Sequence, residues 1–240
     1  MRTIIKALRY LLPLLSIHSF FQTIFFNFYY LPIRQAIFLP IWIYKPHFIR
    51  LKGKIKIEST TLKPGMIRLG FLGGRMYPNN GIQWTHEGIV TFKGTCRIGN
   101  NSFIVTGKQG NIIFENDFMA TASVKIISFI GIKFGISTRL GWEGLVMDTN
   151  FHPLYDMEKD KFKKAYGPIH IGDFNWFGNQ CLIMHSVTTP ERCIFGGRSV
   201  ITRGGKYESY CVHGGSPIRV LSRNVMRVIG KDKIDEYKLD

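Results

Sequence analysis

Cysteine and acidic side chains are both sparse in this 240-residue chain, and each shortage removes a class of explanation. The four cysteines, Cys96, Cys181, Cys193 and Cys211, are far apart and form no C-x-x-C pair, so their spacing supports neither a zinc site nor a disulfide framework and fits reduced thiols in the cytosol. Asp and Glu total 16 against 32 Lys and Arg, a formal net charge of +16. A surface of that sign attracts phosphates, acidic polymers or anionic lipid. Charge alone would also admit a nucleic acid, but the basic residues are dispersed and no helix-turn-helix, zinc-finger or RNP-type signature is present, so no nucleic-acid partner is expected. No G-K-[ST] and no G-x-G-x-x-G opens a helix, which removes the common nucleotide-binding loops. Convincing amphipathic helices are missing after residue 50.

What the chain does have is 45% hydrophobic residues, 25 glycines and 19 phenylalanines. That composition suits a packed core built from many short strands joined by tight turns. An all-β body is the expectation.

The first fifth of the chain reads differently. From Tyr10 to Ile33 there is no Lys, Arg, Asp or Glu, a span long enough to cross a bilayer. Ser16, Ser19, Thr23 and Asn27 nevertheless recur at helical spacing, with Gln22 beside them, and draw a polar stripe along an aromatic helix. Two placements follow from that stripe. In one, the helix lies in a membrane interface, with Phe20, Phe21, Phe25 and Phe26 among acyl chains and flanking Lys and Arg at anionic headgroups. In the other it packs on the protein and caps an open β-stack. Lys6 and Arg9 precede an apolar stretch, but Pro13 interrupts it and no small-residue cleavage site follows, so secretion is not expected. Leu31 to Tyr44, punctuated by Pro32 and Pro40, reads as a linker. The organisation predicted is a helical segment over 1–48, a β-body over 49–221 and a tail over 222–240 that covers one end.

The body carries a stride of six. Ile171, Phe177, Ile183, Thr189, Phe195 and Ile201 are six apart, as are Ile112, Phe118, Val124, Ile130 and Ile136, and so are Phe92, Ile98 and Ile104. An amphipathic helix repeats near 3.6 residues and a strand near two, so this period belongs to a hexapeptide solenoid whose aliphatic residues point inward and stack from coil to coil. Glycines following several of these positions, such as Gly172, Gly178 and Gly196, are expected to accommodate the turns.

Three ordered stretches then resemble one family. Ile171-Gly-Asp-Phe-Asn-Trp176-Phe-Gly178 resembles the I-G-D-x-x-W-[IF]-G coil of hexapeptide-repeat acetyltransferases. Gly196-Gly-Arg-Ser-Val-Ile-Thr-Arg203 is similar to that family's G-A-G-S-V-V-T-[KR] segment, and Gly215-Ser-Pro-Ile-Arg-Val220 to its G-N-P-A-[KR]-V ending. Upstream, Asp148-Thr-Asn-Phe-His152-Pro153 is similar to the stretch holding the catalytic histidine in the branch that modifies sugars and surface polysaccharides. The chain departs from the pattern at Arg198, which stands where the family has glycine, and in the longer segment between Arg203 and Pro217.

The resemblance implies a left-handed parallel β-helix, a homotrimer, acetyl-CoA as acyl donor, no metal, and direct transfer of an acetyl group to a sugar hydroxyl. It makes His152 the general base, a task that neutral imidazole performs near pH 7. It places the oxyanion donor near Asn179, Trp176 against the acyl or acceptor pocket, and Asp148 on the acceptor side. The pantetheine arm is expected along Gly197 and Thr202, with Arg203, Arg219 and Arg223 toward the phosphates. In the trimer each site lies between two prisms, so His152 and the donor-binding coil can come from different subunits. The location implied is cytoplasmic or at the inner face of the plasma membrane. An N-acetyltransferase acting on an amino-sugar nucleotide, and a non-catalytic membrane-bound carbohydrate-binding solenoid, stay open beside this reading. A zinc site of His152, His170 and His185 fits less well, because no two of them have the close spacing that a shared metal needs.

Overall fold

The computed structural model describes residues 17–72 and 76–229. After its N-terminal helices the chain is built of short strands joined by corners, and apart from the hairpin of Tyr155–Asp156 with Lys161–Phe162 these strands collect into three sheets, here A, B and C, parallel throughout except for Arg219–Arg223. The strands visit the sheets in strict rotation. Ile41–Ile43 lies in A, Pro46–Leu51 in B, Lys54–Ile57 in C, Ile67–Phe71 in A again, and the cycle continues to Val200–Ile201 in B. A chain that returns to each sheet once per turn, always beside its own previous strand, winds as a three-faced prism.

The stride of six is the length of one face. Five successive turns place buried residues six apart on C, A and B: Phe92, Ile98 and Ile104; Phe114, Ala120 and Ile126; Phe134, Leu140 and Val146; Ile171, Phe177 and Ile183; Thr189, Phe195 and Ile201. The same residues are register partners between turns, as in Phe92–Phe114–Phe134–Ile171–Thr189 on sheet C. Parallel strands lie about 4.8 Å apart, which lets equal rings stack face to face. Phe92 and Phe114 are 5.3 Å apart, Phe114 and Phe134 5.4 Å, and Phe177 and Phe195 4.6 Å. Each such side chain contributes about 1.5–3 kcal/mol by leaving water.

The period expected from the sequence is therefore right, but its phase fails in the middle block. Ile112, Phe118 and Val124 are buried one pleat before the main column, whereas Ile130 is half-exposed and Ile136 is exposed, both at corners. Extra residues inserted between sheets B and C shift the ladder there, and Ile132, Phe134 and Leu140 take the interior instead.

The corners also correct the role given to glycine. Left-handed backbone occurs at Phe174, Gln180, Ser186, Arg192 and Arg198, six apart, with φ between 56° and 61°. Gly172 and Gly178 are needed for a different reason: a Cβ on either would meet main chain of the next turn at 2.5 and 2.7 Å. Arg198, where the family pattern has glycine, takes φ 59° and is held by its N–H to Asn179 O (2.9 Å) and its Nε to Gln180 Oε1 (2.7 Å).

The N-terminal stripe points inward. In the helix Ile17–Tyr30, Ser19, Thr23 and Asn27 are buried against Ile41–Ile43, the first strand of sheet A. Asn27 Nδ2 donates to Ile41 O (2.6 Å) while its Oδ1 accepts from Ile41 N (3.1 Å). The Thr23 hydroxyl oxygen accepts from Ile43 N (3.1 Å) and its hydrogen reaches Ile43 O (3.2 Å), and Ser19 Oγ accepts from Lys45 N (3.2 Å). Four helical residues rise about 6 Å and two strand residues about 6.7 Å, so alternate main-chain groups meet one side chain per helical turn. The helix thus stands in for a missing strand and satisfies an edge that would otherwise recruit other chains.

Two expectations change with it. Leu31 to Tyr44 is no linker: it contains the short helix Ile33–Ala36 and the first strand of sheet A, so the β-body begins before residue 49. Phe26 is fully buried against Phe48, Trp84 and Tyr30 and is unavailable to lipid, whereas Phe20, Phe21 and Phe25 are exposed. Among the described residues no helix is long and apolar enough to cross a membrane. Ser16, residues 1–16 generally, and the tail beyond residue 229 lie outside the described residues.

Replacing Asn27 by Leu strands the N–H and C=O of Ile41 in a buried edge, at about 1–3 kcal/mol for each orphaned group. Denaturant unfolding of Asn27→Leu is expected to show a loss of about 3 kcal/mol, and a variant as stable as the parent would refute the strand-mimic account.

Candidate active site

Inward residues build the column, and outward residues define what each face can bind. On sheet A the outward register runs Trp42, Arg68, Arg97, Met119, Arg139, Trp176 and Ile194. At the upper end of that row lies a groove of about 670 Å³, walled by Met119, Arg139, Trp176 and Ile194 and, along the corner leading to sheet B, by Gly141, Trp142, Gly178, Asn179 and Gly197. The corner is shallow because its glycines let successive turns approach closely. A Cβ on Gly141 would meet Asn179 N at 2.6 Å, and one on Gly197 would meet Asn179 Oδ1 at 2.5 Å. Arg227 arches over the groove with its guanidinium 4.6 Å from the Trp176 ring.

Three of the residues expected from the sequence, Trp176, Asn179 and Gly197, thus share one groove. Arg139, Trp142 and Arg227 complete it and carry no motif; Arg139 is aligned with Trp176 only by sheet register, across an insertion that hides the relation in the sequence.

A second depression, about 810 Å³, lies at the end of the prism between Thr202 and Arg223 and includes Arg219. Here one expectation fails. Thr202 N donates to Tyr207 Oη (2.9 Å) and Thr202 O accepts from the same hydroxyl (2.5 Å), so the main chain of Thr202 is not free to hold a pantetheine arm. The cause is the missing last strand of sheet C, whose place is taken by a loop that folds Tyr207 back. Arg223 is likewise engaged, at 3.1 and 3.2 Å from Glu208, and its hydrogen bond holds that carboxyl below the usual carboxylate range. Arg203 and Arg219 are exposed.

His152 belongs to another edge. The corner between sheets B and C is opened between Val146 and Ile171 by a loop containing the hairpin Tyr155–Asp156 and Lys161–Phe162. Thr149 bridges to Tyr166, and Asn150 N donates to Ala165 O (2.7 Å), closing the loop at its base. Phe151, at φ 60°, is pinned by Thr149 Oγ1 and packs its ring 5.0 Å from Phe129. His152 follows, exposed, with its N–H on Asn150 O (2.7 Å) and with no carbonyl on its imidazole among the described residues. None of the groove residues comes from this loop, so a single chain does not bring His152 to Trp176.

Asp148, expected on the acceptor side, is a structural residue instead. It is fully buried and accepts from Ser128 Oγ (2.7 Å) and from the N–H groups of Phe129, Ile130 and Gly131 at 2.7–2.9 Å. In the single chain none of this carboxylate reaches the surface, so a ligand has no access to it. It does set the corner that seats Phe129, against which Phe151 and hence His152 are braced. His185 lies at the next corner of the same edge, its pKa lowered first by burial and then by the charge of Arg203. His170 faces outward from sheet C, and among the described residues no three His, Cys, Asp or Glu side chains are grouped as metal ligands.

No protein-family model matches the chain. A putative acetyltransferase of Staphylococcus aureus strain COL is 37% identical over 76 residues, which is 31% of this chain and 37% of that protein. A putative acetyltransferase of strain N315 is 33% identical over 75 residues, with the same coverage. The match therefore spans little more than a third of the curated relatives. Among solved structures, the polySia specific acetyltransferase NeuO aligns over 81% of this chain and 94% of its own at 18% identity, with a TM-score of 0.43. The polysialic acid O-acetyltransferase OatWY aligns over 80% and 95% at 19% identity, also with a TM-score of 0.43.

Removing one charged acceptor from the Asp148 cluster should cost about 3 kcal/mol. Asp148→Asn is expected to unfold at lower denaturant by that amount; a variant of unchanged stability with a raised KM for the acceptor would return Asp148 to the acceptor side.

Proposed function

We propose that this chain is an acetyl-CoA-dependent O-acetyltransferase that modifies a sugar hydroxyl, with His152 as general base and a left-handed winding of its prism. The observation that carries the reading is the meeting of Trp176 and Gly197, from two of the ordered motifs, with Asn179, which directly follows the first, around one glycine-cornered groove. The partial likeness to proteins named putative acetyltransferases points the same way.

The chemistry asks little of the chain beyond positioning. As the acceptor oxygen attacks the thioester carbonyl, its proton passes to the imidazole of His152, and no enzyme nucleophile is required. The carbonyl oxygen gains charge, which a main-chain N–H at the Asn179 corner would stabilise. Collapse expels the thiolate, which takes up a proton. Acetyl-CoA suits the groove through close main-chain approach at Gly178 and Gly197, with Arg203 or Arg219 toward its phosphates.

Since His152 and the groove occupy different edges of one prism, the reading also needs a second copy. Sheet B supports one. Its outward columns start polar, at His47 and Gln83 and at Arg50 and Thr85, and from the third strand on run Phe103, Lys125, Leu145, Leu182 and Val200, and beside them Val105, Ile127 and Met147, all apolar but Lys125 and half-exposed in the single chain. Sheet C, by contrast, runs Lys56, Thr91, Ile113, Lys133, His170 and Thr188 in its outward column, one apolar residue among six. A homotrimer packed through sheet B is the assembly that buries the apolar columns and leaves sheet C in water.

The exposed side of the N-terminal helix supports peripheral binding to anionic lipid at the inner face of the plasma membrane. Phe20, Phe21, Phe25, Phe28 and Tyr29 are all at least 45% exposed. Lys45 adjoins Ser19 at one end of the helix, and Lys52 follows Leu51, whose carbonyl takes the Tyr29 hydroxyl, at the other. Deleting the helix would open the edge of sheet A, so the informative variant changes only its outer face. Phe20→Ser/Phe21→Ser/Phe28→Ser is expected to sediment at least about tenfold less with phosphatidylserine-containing vesicles, each side chain being worth about 1.5–3 kcal/mol. Wild-type protein left in the supernatant would end the lipid proposal.

His152→Gln is expected to lower acetyl transfer to glycan acceptors at least about 100-fold, while acetyl-CoA still raises the melting temperature. Retained transfer would remove His152 as the base, and absence of any acetyl-CoA-dependent shift in the wild type would overturn the acyltransferase reading.

A further inference from the structure

The outward row of sheet A continues below the groove, and there its chemistry changes. Arg68 and Arg97 are register partners on adjacent strands, so their stems leave the sheet about 4.8 Å apart. They line a depression of about 200 Å³ with Phe71, Leu72, Met119 and Thr121. Met119 and Thr121 also line the larger groove, so the two depressions form one trough along sheet A.

Neither arginine has a carboxylate partner among the described residues. The next arginine of the row shows what compensation looks like: Arg139 places Nη2 2.6 Å from Asp117 Oδ2. Arg68 instead sends Nε to Gly65 O (3.1 Å) and lies over the Trp42 ring at 5.9 Å. That ring is pressed so closely on Gly65 that a Cβ there would meet it at 2.5 Å. The guanidinium thus stands on a fixed support, and among the described residues its terminal nitrogens are unpaired. Burial, and then the neighbouring charge of Arg97, hold the Arg68 pKa below its ordinary value. Two like charges set side by side on a partly apolar floor are costly unless an anion lies between them.

Resting on the acetyl-transfer reading, we infer that Arg68 and Arg97 hold acidic groups of the acceptor, which is an acidic oligosaccharide or polysaccharide lying along sheet A. Length enters through the row itself. From Arg97 to Trp176 there are three strand spacings, about 14 Å, farther than one sugar ring reaches. An acceptor that engages both ends is a chain of several sugars carrying carboxylate or phosphate groups. Paired guanidinium forks suit either anion.

The test uses the full chain and defined probes: hexagalacturonate as the acidic chain, maltohexaose as its neutral counterpart, inorganic phosphate, and acetyl-CoA. By calorimetry hexagalacturonate should bind at least tenfold more tightly than maltohexaose and weaken as salt rises. Arg97→Gln, at an exposed position, and Arg68→Gln should each weaken it at least fivefold, with Arg97→Lys intermediate. Unchanged hexagalacturonate binding in both Gln variants overturns the inference, as does inorganic phosphate binding as tightly as the hexamer. A fivefold loss of acetyl-CoA affinity in Arg97→Gln would also overturn it, by assigning the anion to the donor's phosphates. Arginine-dependent glycan binding in a protein that fails to bind acetyl-CoA would sustain the acidic-glycan site and defeat the acyltransferase reading, so the two fail separately.

Discussion

Rings and branched aliphatics of successive turns lie on one another at the spacing of parallel strands, and that stacking is the contact on which the other features depend. It ties each turn to the next over the whole height of the prism, from Trp84 through Ile104, Ile126, Val146 and Ile183 to Ile201 on sheet B alone. No single turn has an interior, so the column is stable only as a stack, and both ends need covering. The N-terminal end is closed by side-chain amide and hydroxyl groups of a helix acting as a strand. At the other end an antiparallel strand, Arg219–Arg223, is laid on sheet A.

Because the interior is so regular, variation is pushed outward. The three faces differ in emphasis: arginine and tryptophan recur on A, apolar residues fill B from its third strand on, and C turns out lysine, histidine and threonine with an occasional isoleucine. Long connections leave at corners, where a loop can go out and return without disturbing the column: between Ile57 and Ile67, between Phe71 and Ile82, and, longest, between Met147 and Ile169, which carries His152. A rigid register on one face and a braced loop on another edge suit the shared site proposed above.

Buried polar groups mark where regularity is interrupted. Asp148 gathers three consecutive N–H groups at a corner that the ladder cannot serve, and so fixes the floor beneath the His152 loop. His213 ends the Phe177–Phe195 stack, its ring 5.2 Å from Phe195 and its Nε2 accepting from Glu208 N at 3.1 Å. Burial lowers its pKa, consistent with a neutral ring in that role.

The spacing of Ile171, Phe177, Ile183, Thr189, Phe195 and Ile201 was enough to announce a six-residue face, because a side chain's direction in an extended segment follows its position and nothing else. The short polar residues of the N-terminal helix were equally legible as a stripe. Which way the stripe faced was not, since Ser19, Thr23 and Asn27 serve water and a bare strand edge with the same atoms. Nor could the row Trp42, Arg68, Arg97, Met119, Arg139 and Trp176 be read along the chain. Its members are separated by corners of unequal length and become neighbours only through register, as does the burial of Asp148 beneath Ser128 to Gly131. Local order is written in the spacing of residues, whereas the surfaces that meet a partner are made by hydrogen bonding between turns, which brings together residues that the chain keeps apart.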